Sequence, residues 1–401
     1  MVPGDLRENL PAPAGRAREV LTAFLKLGVL SFGGPVAHIG YFHAEFVDRR
    51  RWLDDESFTD LVALCQFLPG PASSQLGFSL GLMRAGYLGG LAAWTGFTLP
   101  SAILMVLAAR VAKIAIGPSA LGVIHGLKLV AVCIVAQAVW AMARTLCPDW
   151  QRACLALAAG VILLLTDSNT APLAVLTASG IAGYWLCRTS PAAPRARELQ
   201  VAGVSRRVGI GALLVFGGLL LALPLFHGWP AAARFDAYYR SGALVFGGGH
   251  VVLPLLHRAF VDSGWVRNDL FLAGYGAAQA VPGPLFAFAA YLGAITAGVP
   301  GAAVGLLGIF LPGLLIVMGA LPYWQLLRVR TDVAATVRGI NAAVVGLLGA
   351  ALYDPIGRVS VHSGLDMGLV VIGFGLLTVG RAPPLLIVVL GALAGALIKA
   401  P

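Results

Sequence analysis

Long apolar stretches separated by short polar segments follow one another along almost the whole chain. In the first half, the stretches that approach or exceed the length needed to cross about 30 Å of hydrocarbon are 20–47, 58–83, 87–111, 121–143, 153–165 and 171–186. A similar series recurs in the second half. The pattern predicts an all-α polytopic membrane protein.

The chain is also an internal duplication, because two short motifs occur twice in the same order. Phe32-Gly33-Gly34 is followed by a Gln66 to Pro71 motif that contains Pro69-Gly70-Pro71. In the second half, Phe246-Gly247-Gly248 is followed by a Gln279 to Pro284 motif that contains Pro282-Gly283-Pro284. Further matches, such as Phe46-Val47-Asp48 with Phe260-Val261-Asp262, keep the same register. Self-similarity of this kind indicates two homologous structural units.

The two units are predicted as residues 1–188 and 230–401, joined by a basic linker, 189–207, and by one extra apolar segment, 208–229. A single extra crossing between two units with equal numbers of crossings turns the second unit upside down. The repeats are therefore predicted to be inverted, as in many secondary transporters.

The repeated motifs interrupt apolar runs near their middle and leave pieces too short to span a bilayer alone. Two arrangements are open at this point. The pieces form re-entrant hairpins with the breaks at their tips, giving about nine full spans plus four hairpins, or they form kinked spans, giving thirteen. The positive-inside rule favours hairpins, since these place Arg49, Arg50 and Arg51 on the cytoplasmic side.

Composition and charge agree with a membrane location. The chain is 58% hydrophobic and 11% charged, whereas soluble domains contain about 25% charged residues. Residues 1–19 lack an apolar core and are expected to be a cytoplasmic leader, not a cleaved signal. Arginines in the leader and linker predict a cytoplasmic N-terminus and, with an odd number of crossings, a periplasmic C-terminus. The net charge of +10 follows from this topology, and no nucleic-acid partner is predicted.

The breaks predict an anion site. A helix that restarts after a break leaves its first N–H groups unpaired, and the helix dipole adds positive potential there. The predicted substrate-binding residues are these glycines and the nearby donors or cations: Lys26, Gly33, Gly34, His38, Gly70, Ser73, Ser74, Lys128, Gly248, His250 and Gly283. The residues predicted to support the broken backbone are Phe32, Pro35, Gln66, Pro69, Pro71, Phe246, Gly247, Gln279, Pro282, Pro284 and Asn341.

Few acidic residues fall at membrane depth, which favours an anion over a cation as the transported species.

Asp54-Asp55-Glu56 is compatible with a magnesium site, but the matching segment reads Arg267-Asn268-Asp269, so helix N-caps are the preferred interpretation for both. The five cysteines form no Cys-x-x-Cys pair. No metal, cofactor or enzymatic activity is predicted.

Four segments resemble signature stretches of the chromate ion transporter family in its long, two-domain form: 31–39, 50–53, 68–75 and 246–254. The resemblance implies a secondary transporter that exports chromate across the bacterial inner membrane and confers chromate resistance, with sulfate as a close analogue. Family members carry Glu after Pro-Gly-Pro where this chain has Ala72, so a protonatable coupling group is not implied at that break. The alternatives are an importer or exchanger of sulfate or another oxyanion, and a membrane enzyme acting on a diphosphate lipid. A homodimer is left open.

Overall fold

The computed structural model describes residues 13–114, 118–166, 168, 170–188, 204–327 and 329–397. Within these ranges the chain is largely helical and contains no β-strand. The predicted leader before residue 13 and most of the linker, 189–203, lie outside the described residues.

The helices of the first half are α1 (Pro13–Leu30), α2 (Gly34–His43), α3 (Asp55–Phe67), α4 (Ala72–Ile114), α5 (Pro118–Leu146), α6 (Trp150–Leu165) and α7 (Ala171–Leu186). The connecting segment forms α8 (Arg206–Ala222). The second half contains α9 (Pro230–Ala243), α10 (Val252–Phe260), α11 (Asn268–Ala278), α12 (Phe288–Ala320), α13 (Trp324–Leu327), α14 (Thr331–Ala351), α15 (Arg358–Ser360), α16 (Gly364–Thr378) and α17 (Pro384–Leu397).

The longest helix of each half is interrupted by the same tight turn. Ala85 and Gly86 have φ/ψ of −143/26° and 63/−157°, and Ala297 and Gly298 have −146/24° and 66/−155°. The glycine conformation is essentially closed to other residues. Each long helix is therefore two helices folded back on one another: α4a (72–84) and α4b (87–114), and α12a (288–296) and α12b (299–320).

The first four helical pieces of the first half form two hairpins. Glu19, near the start of α1, pairs with Arg50 beyond the end of α2 at 3.4 Å and with Arg84 at the end of α4a at 3.0 Å. The ends of these helices therefore lie together, and the two breaks lie at the opposite ends. The contacts favour the hairpin arrangement over kinked spans.

The second half repeats this packing. The rings of Phe24 and Phe46 lie 4.8 Å apart in the first half, and their counterparts Tyr238 and Phe260 lie 4.5 Å apart. In both halves an aromatic contact thus joins the first helix to the second arm of its hairpin.

Within the described part of the chain, nine apolar helical segments remain besides the hairpins. Five lie in stretches that are long and apolar enough to cross a membrane: Ala72–Ile114, Leu121–Leu146, Arg206–Phe226, Leu285–Leu327 and Thr331–Ser360. In the first and fourth of these, α4b and α12b are the segments outside the hairpins. Four shorter apolar helices accompany them: α6, α7, α16 and α17. The prediction of an all-α polytopic membrane protein is confirmed, and the segments match the nine crossings of the hairpin arrangement.

The halves exchange their long helices. α5 packs against α16 and α17 of the second half, and α14 packs against α6 and α7 of the first. Small residues allow the close approach: a Cβ on Gly126 would lie 2.0 Å from the Gly391 carbonyl oxygen, and one on Gly183 would lie 2.6 Å from Gly339 Cα. The long helices α5 and α14 are therefore packed largely by helices of the opposite half.

The two sets of hairpins start from opposite ends of α8. Val204, just before α8, packs in a cluster with Trp52 near the base of the first-half hairpins and Trp324 beyond α12b. At the far end of α8, the Leu220 carbonyl accepts a hydrogen bond from Arg240 of α9. Hairpins that enter from opposite ends of one spanning helix agree with inverted repeats.

Candidate functional site

The tips of the hairpins from the two halves meet in pairs. The Gly70 N–H donates to the Val245 carbonyl oxygen at 2.7 Å, and the Gly283 N–H donates to the Ser31 carbonyl oxygen at 2.9 Å. Each Pro-Gly-Pro glycine is thus bonded to the residue that precedes Phe-Gly-Gly in the other half. All four predicted breaks therefore lie together where hairpins from opposite ends of the protein touch.

Glycine is required at two of these tips. Gly70 has φ +118° and Gly283 has φ +93°, in the range that favours glycine. A Cβ on Gly70 would also lie 3.0 Å from Gly313 Cα, and one on Gly283 would lie 3.1 Å from Ser101 Oγ. Backbone conformation and close packing both explain why these positions lack a side chain.

Buried hydroxyl and imidazole groups surround the first-half breaks. His38 Nδ1 of α2 lies 3.3 Å from Ser73 Oγ in the first turn of α4a. Three other buried atoms nearby have no hydrogen-bond partner within the protein: His38 Nε2, Ser31 Oγ and Ser74 Oγ. Burying such groups unpaired costs free energy, about 1–3 kcal/mol each, so the arrangement is typical of a site that receives a polar ligand.

The helix starts contribute to the same site. α2 begins at Gly34 and α4a begins at Ala72, directly after their breaks. Their first N–H groups and the positive ends of their dipoles are therefore placed at the tips. The site combines neutral donors with partial positive charge, which is the chemistry that an oxyanion needs.

Gln75 lies in the candidate site and was missed by sequence analysis. Its Nε2 donates to the Pro69 carbonyl oxygen at 2.8 Å and to the Gly313 carbonyl oxygen of α12b at 3.0 Å. Its Oε1 is buried without a partner. Gln75 thus holds the first-half break against the second half. A polar side chain one turn after Pro71 in an apolar run was the available signal.

The second-half breaks carry fewer polar groups. His250 Nδ1 lies 2.6 Å from the Tyr275 hydroxyl, and a Cβ on Gly249 would lie 3.8 Å from Pro35 of the first half. Asn341 Oδ1 is buried without a partner and would lie 3.3 Å from a Cβ on Gly247. His250, Asn341 and Gly247 therefore lie near the meeting point of the tips.

The two predicted lysines are paired with carboxylates. Lys26 Nζ lies 3.8 Å from Glu45, which also binds Arg49 and Arg50 near the base of the hairpins. Lys128 Nζ of α5 donates to Asp269 Oδ1 of α11 at 2.8 Å. The charge of Lys128 is therefore compensated across the two halves, and the helix ends and hydroxyls supply the uncompensated donors.

The remaining supporting residues occupy different positions around the tips. Pro69 accepts the Gln75 hydrogen bond, and the Pro71 ring lies 2.9 Å from the place of a Cβ on Gly313. Pro282 and Pro284 are buried, whereas Phe32 and Gln66 are exposed. Gln279 Nε2 is buried without a partner. The Pro-Gly-Pro break is thus more fully buried in the second half, where Gly283 is buried, than in the first, where Gly70 is half-buried.

The acidic cluster Asp54-Asp55-Glu56 begins a helix. The Asp54 side chain accepts a hydrogen bond from the Ser57 N–H at 2.8 Å, which confirms the predicted N-cap. The second-half prediction was wrong in one respect: Arg267 occupies the cap position and makes no side-chain cap bond. A guanidinium has donors only and cannot accept from the free N–H groups.

Comparison of the sequence with known protein families shows which family it matches. The sequence profile of a family described as chromate transporter matches residues 18–184 and 232–396, once in each half. The chain belongs to the chromate transporter family. The match covers most of the residues that form the hairpins and the helices around them.

Individual relatives support this membership. A probable chromate transport protein of Synechococcus elongatus is 29% identical over 397 residues, 96% of each chain. The chromate transport protein of Cupriavidus metallidurans is 28% identical over 85% of this chain and 83% of its own length. That of Pseudomonas aeruginosa is 28% identical over 86% and 82%. No solved structure matches.

Proposed function

We propose that this protein is a secondary transporter that exports chromate across the bacterial inner membrane. Membership of the chromate transporter family and the names of the relatives support chromate as the substrate. The observation that carries the proposal is the set of buried, unpaired groups on Ser31, His38 and Ser74 beside two helix starts. These groups suit a tetrahedral oxyanion.

The proposed binding mode uses the groups that surround the hairpin tips. The hydroxyls of Ser31, Ser73 and Ser74 donate to chromate oxygens, and the starts of α2 and α4a supply further N–H donors. His38 Nε2 completes the first-half side, and Gly248, His250 and Asn341 lie on the second-half side. Gly33, Gly34, Gly70 and Gly283 let the backbone approach the anion closely.

Energetics permit export without ATP. Moving two negative charges out of an inside-negative cell is favourable by about 4.6 kcal/mol per 100 mV. This supports an outward gradient on the order of a thousandfold. We place the N-terminus and the Glu19 end of the first-half hairpins in the cytoplasm, where the arginine-rich segments belong.

Two alternative functions differ from chromate export in the transported anion and its direction, or in the chemistry that the site would need. An importer or exchanger of sulfate would have the same scaffold and the same kind of site, since sulfate is also a tetrahedral dianion. The lipid enzyme would need an acid–base or metal constellation, and the structure uses Asp54 of the candidate cluster as a helix cap.

The test is uptake of labelled chromate into everted membrane vesicles with an imposed potential, positive inside the vesicle. We expect accumulation that depends on the protein, rises with the potential and is competed by excess sulfate. Vesicles without the protein are the control. Accumulation only in right-side-out vesicles would contradict export, and uptake of sulfate without chromate would contradict the substrate.

A further inference from the structure

The two halves differ in how one hairpin helix packs. In the second half, α11 packs against α5 and α4. A Cβ on Gly276 of α11 would lie only 2.5 Å from the Leu127 carbonyl oxygen of α5, and Lys128 is bonded to Asp269 in the same interface. The first-half counterparts of α11 and α5 are α3 and α14. α3 packs mainly against α4 and makes no comparable contact with α14.

The exposure of matched residues shows the same difference. Thr59, Ala63 and Gln66 follow one face of α3, and all three are exposed. Their counterparts in α11 are Leu272, which is 0% exposed, Gly276, which is buried, and Gln279, which is half-buried. The face of α3 that corresponds to the α11–α5 interface is therefore uncovered.

The α2 helix, in the neighbouring hairpin, is uncovered in the same way. Val36 and Tyr41 are 84% and 41% exposed, whereas Leu255, the counterpart of Tyr41, is 7% exposed. In each hairpin of the first half one arm, α2 or α3, thus has an uncovered face, whereas the matched residues of α10 and α11 are buried or half-buried.

The uncovered face of α3 is polar close to the tips. Gln66 is the next-to-last residue of α3 and lies just before the Pro-Gly-Pro break. Transferring an amide from water to a hydrocarbon, which offers no hydrogen bonds, costs about 4–8 kcal/mol. A water-filled path along this face, from the end of the molecule that carries Glu19 to the hairpin tips, would avoid that cost.

We propose that the substrate reaches the hairpin tips along this face, between α3 and α14, and that the path closes when α3 packs on α14 as α11 packs on α5. Ala63 then takes the position of Gly276, and Ile340 takes that of Leu127. At the other end of the protein, α11 separates from α5 and the Lys128–Asp269 pair breaks. Homologous sequences allow each half to adopt the conformation now seen in the other.

This inference rests on the proposed transport function but not on the identity of the anion. The exchange leaves the tip bonds Gly70–Val245 and Gly283–Ser31 in place, because they are equivalent in both halves. The open path of the present structure leads to the cytoplasm in the proposed orientation, which is the side from which an exporter loads.

The test uses paired cysteines in a background whose five native cysteines are replaced by alanine. Ala63→Cys with Ile340→Cys is oxidised in membranes. We expect a disulfide, and a loss of chromate flux that a reducing agent reverses. The control pair is Ala63→Cys with Leu347→Cys, about two turns, or roughly 10 Å, further along α14, which should not form a disulfide.

A labelling measurement gives a second, independent readout. As single variants, Thr59→Cys should react rapidly with a small maleimide and Leu272→Cys slowly. With the 63–340 disulfide in place, the order should reverse. The proposal would be overturned if the 63–340 double variant transports as fast as the cysteine-free protein but forms no disulfide.

The two proposals can fail separately. Disulfide formation with reversed labelling, in a protein that carries no chromate, would support the exchange of conformations and contradict the substrate. Normal chromate flux with fixed labelling of Thr59→Cys and Leu272→Cys would contradict the exchange alone.

Discussion

The amide of Gly70 is hydrogen-bonded to the carbonyl oxygen of Val245 at 2.7 Å, so the Pro-Gly-Pro break of one half is fastened to the Phe-Gly-Gly break of the other. The reciprocal bond joins Gly283 to Ser31. Two hairpins that enter from opposite ends of the protein therefore share one meeting point. An anion bound there, as proposed, would contact both halves at once.

The first prediction concerns Gly70. Gly70→Ala should insert normally but lose most chromate flux, because the new Cβ would lie 3.0 Å from Gly313 Cα and the backbone has a positive φ. Flux into everted vesicles, normalised to protein level, measures the effect. Gly264→Ala is the matched control: Gly264 also has a positive φ, +76°, but nothing lies within 4 Å of its Cβ position. Equal flux in the two variants would contradict the view that crowding around Gly70 lowers transport.

The second prediction concerns the unpaired hydroxyl of Ser74. Ser74→Ala should lower chromate affinity by about tenfold to a hundredfold, since a hydrogen bond to a charged group contributes about 1.5–3 kcal/mol. Ser79→Ala is the control on the same helix, because the Ser79 hydroxyl already donates to the Gln75 carbonyl oxygen at 2.8 Å. The concentration dependence of flux gives both values. Ser74 does not bind the anion if both variants keep the wild-type concentration for half-maximal flux.

The third prediction concerns the Lys128–Asp269 pair. Asp269→Asn should lower the free energy of unfolding in detergent by about 1–3 kcal/mol, because it leaves the buried ammonium group of Lys128 without its counter-charge. Lys128→Gln should be milder, since Asp269 is 44% exposed. The double variant should be more stable than Asp269→Asn alone. Asp332→Asn, in an exposed pair with Arg330, is the control and should change little.

The same variants test whether Lys128 acts on the substrate. If its role is to hold α11 against α5, flux should recover in Lys128→Gln/Asp269→Asn relative to Asp269→Asn. Recovery of stability without recovery of flux would show instead that the ammonium group itself is needed by the anion, as the sequence suggested.

The fourth prediction concerns orientation. Reporter fusions at Arg197 and Arg234 should report opposite sides of the membrane, cytoplasm and periplasm respectively, because α8 crosses between them. A fusion at the C-terminus should report the periplasm. Reporters at 197 and 234 on the same side would contradict the inverted repeats, whatever substrate is carried.

Much of the architecture follows from the order of residues along the chain. The bilayer requires long apolar helices, and Gly and Pro are poor helix formers, so composition and the repeated motifs predict an all-α membrane protein with broken helices. The odd segment around α8 predicts inversion, because the number of crossings sets which end of the second half comes first. These features depend on local sequence and on the number of apolar segments, and both can be read from a single sequence.

Other features depended on contacts between distant residues. No local pattern pairs Gly70 with Val245, Gln75 with Gly313, or Lys128 with Asp269, since each pair joins the two halves. The duplication also implies equivalent halves, whereas α11 packs on α5 and α3 makes no comparable contact with α14. Two similar sequences can adopt different conformations when both are close in free energy, and only the packing of the whole chain selects which half is open.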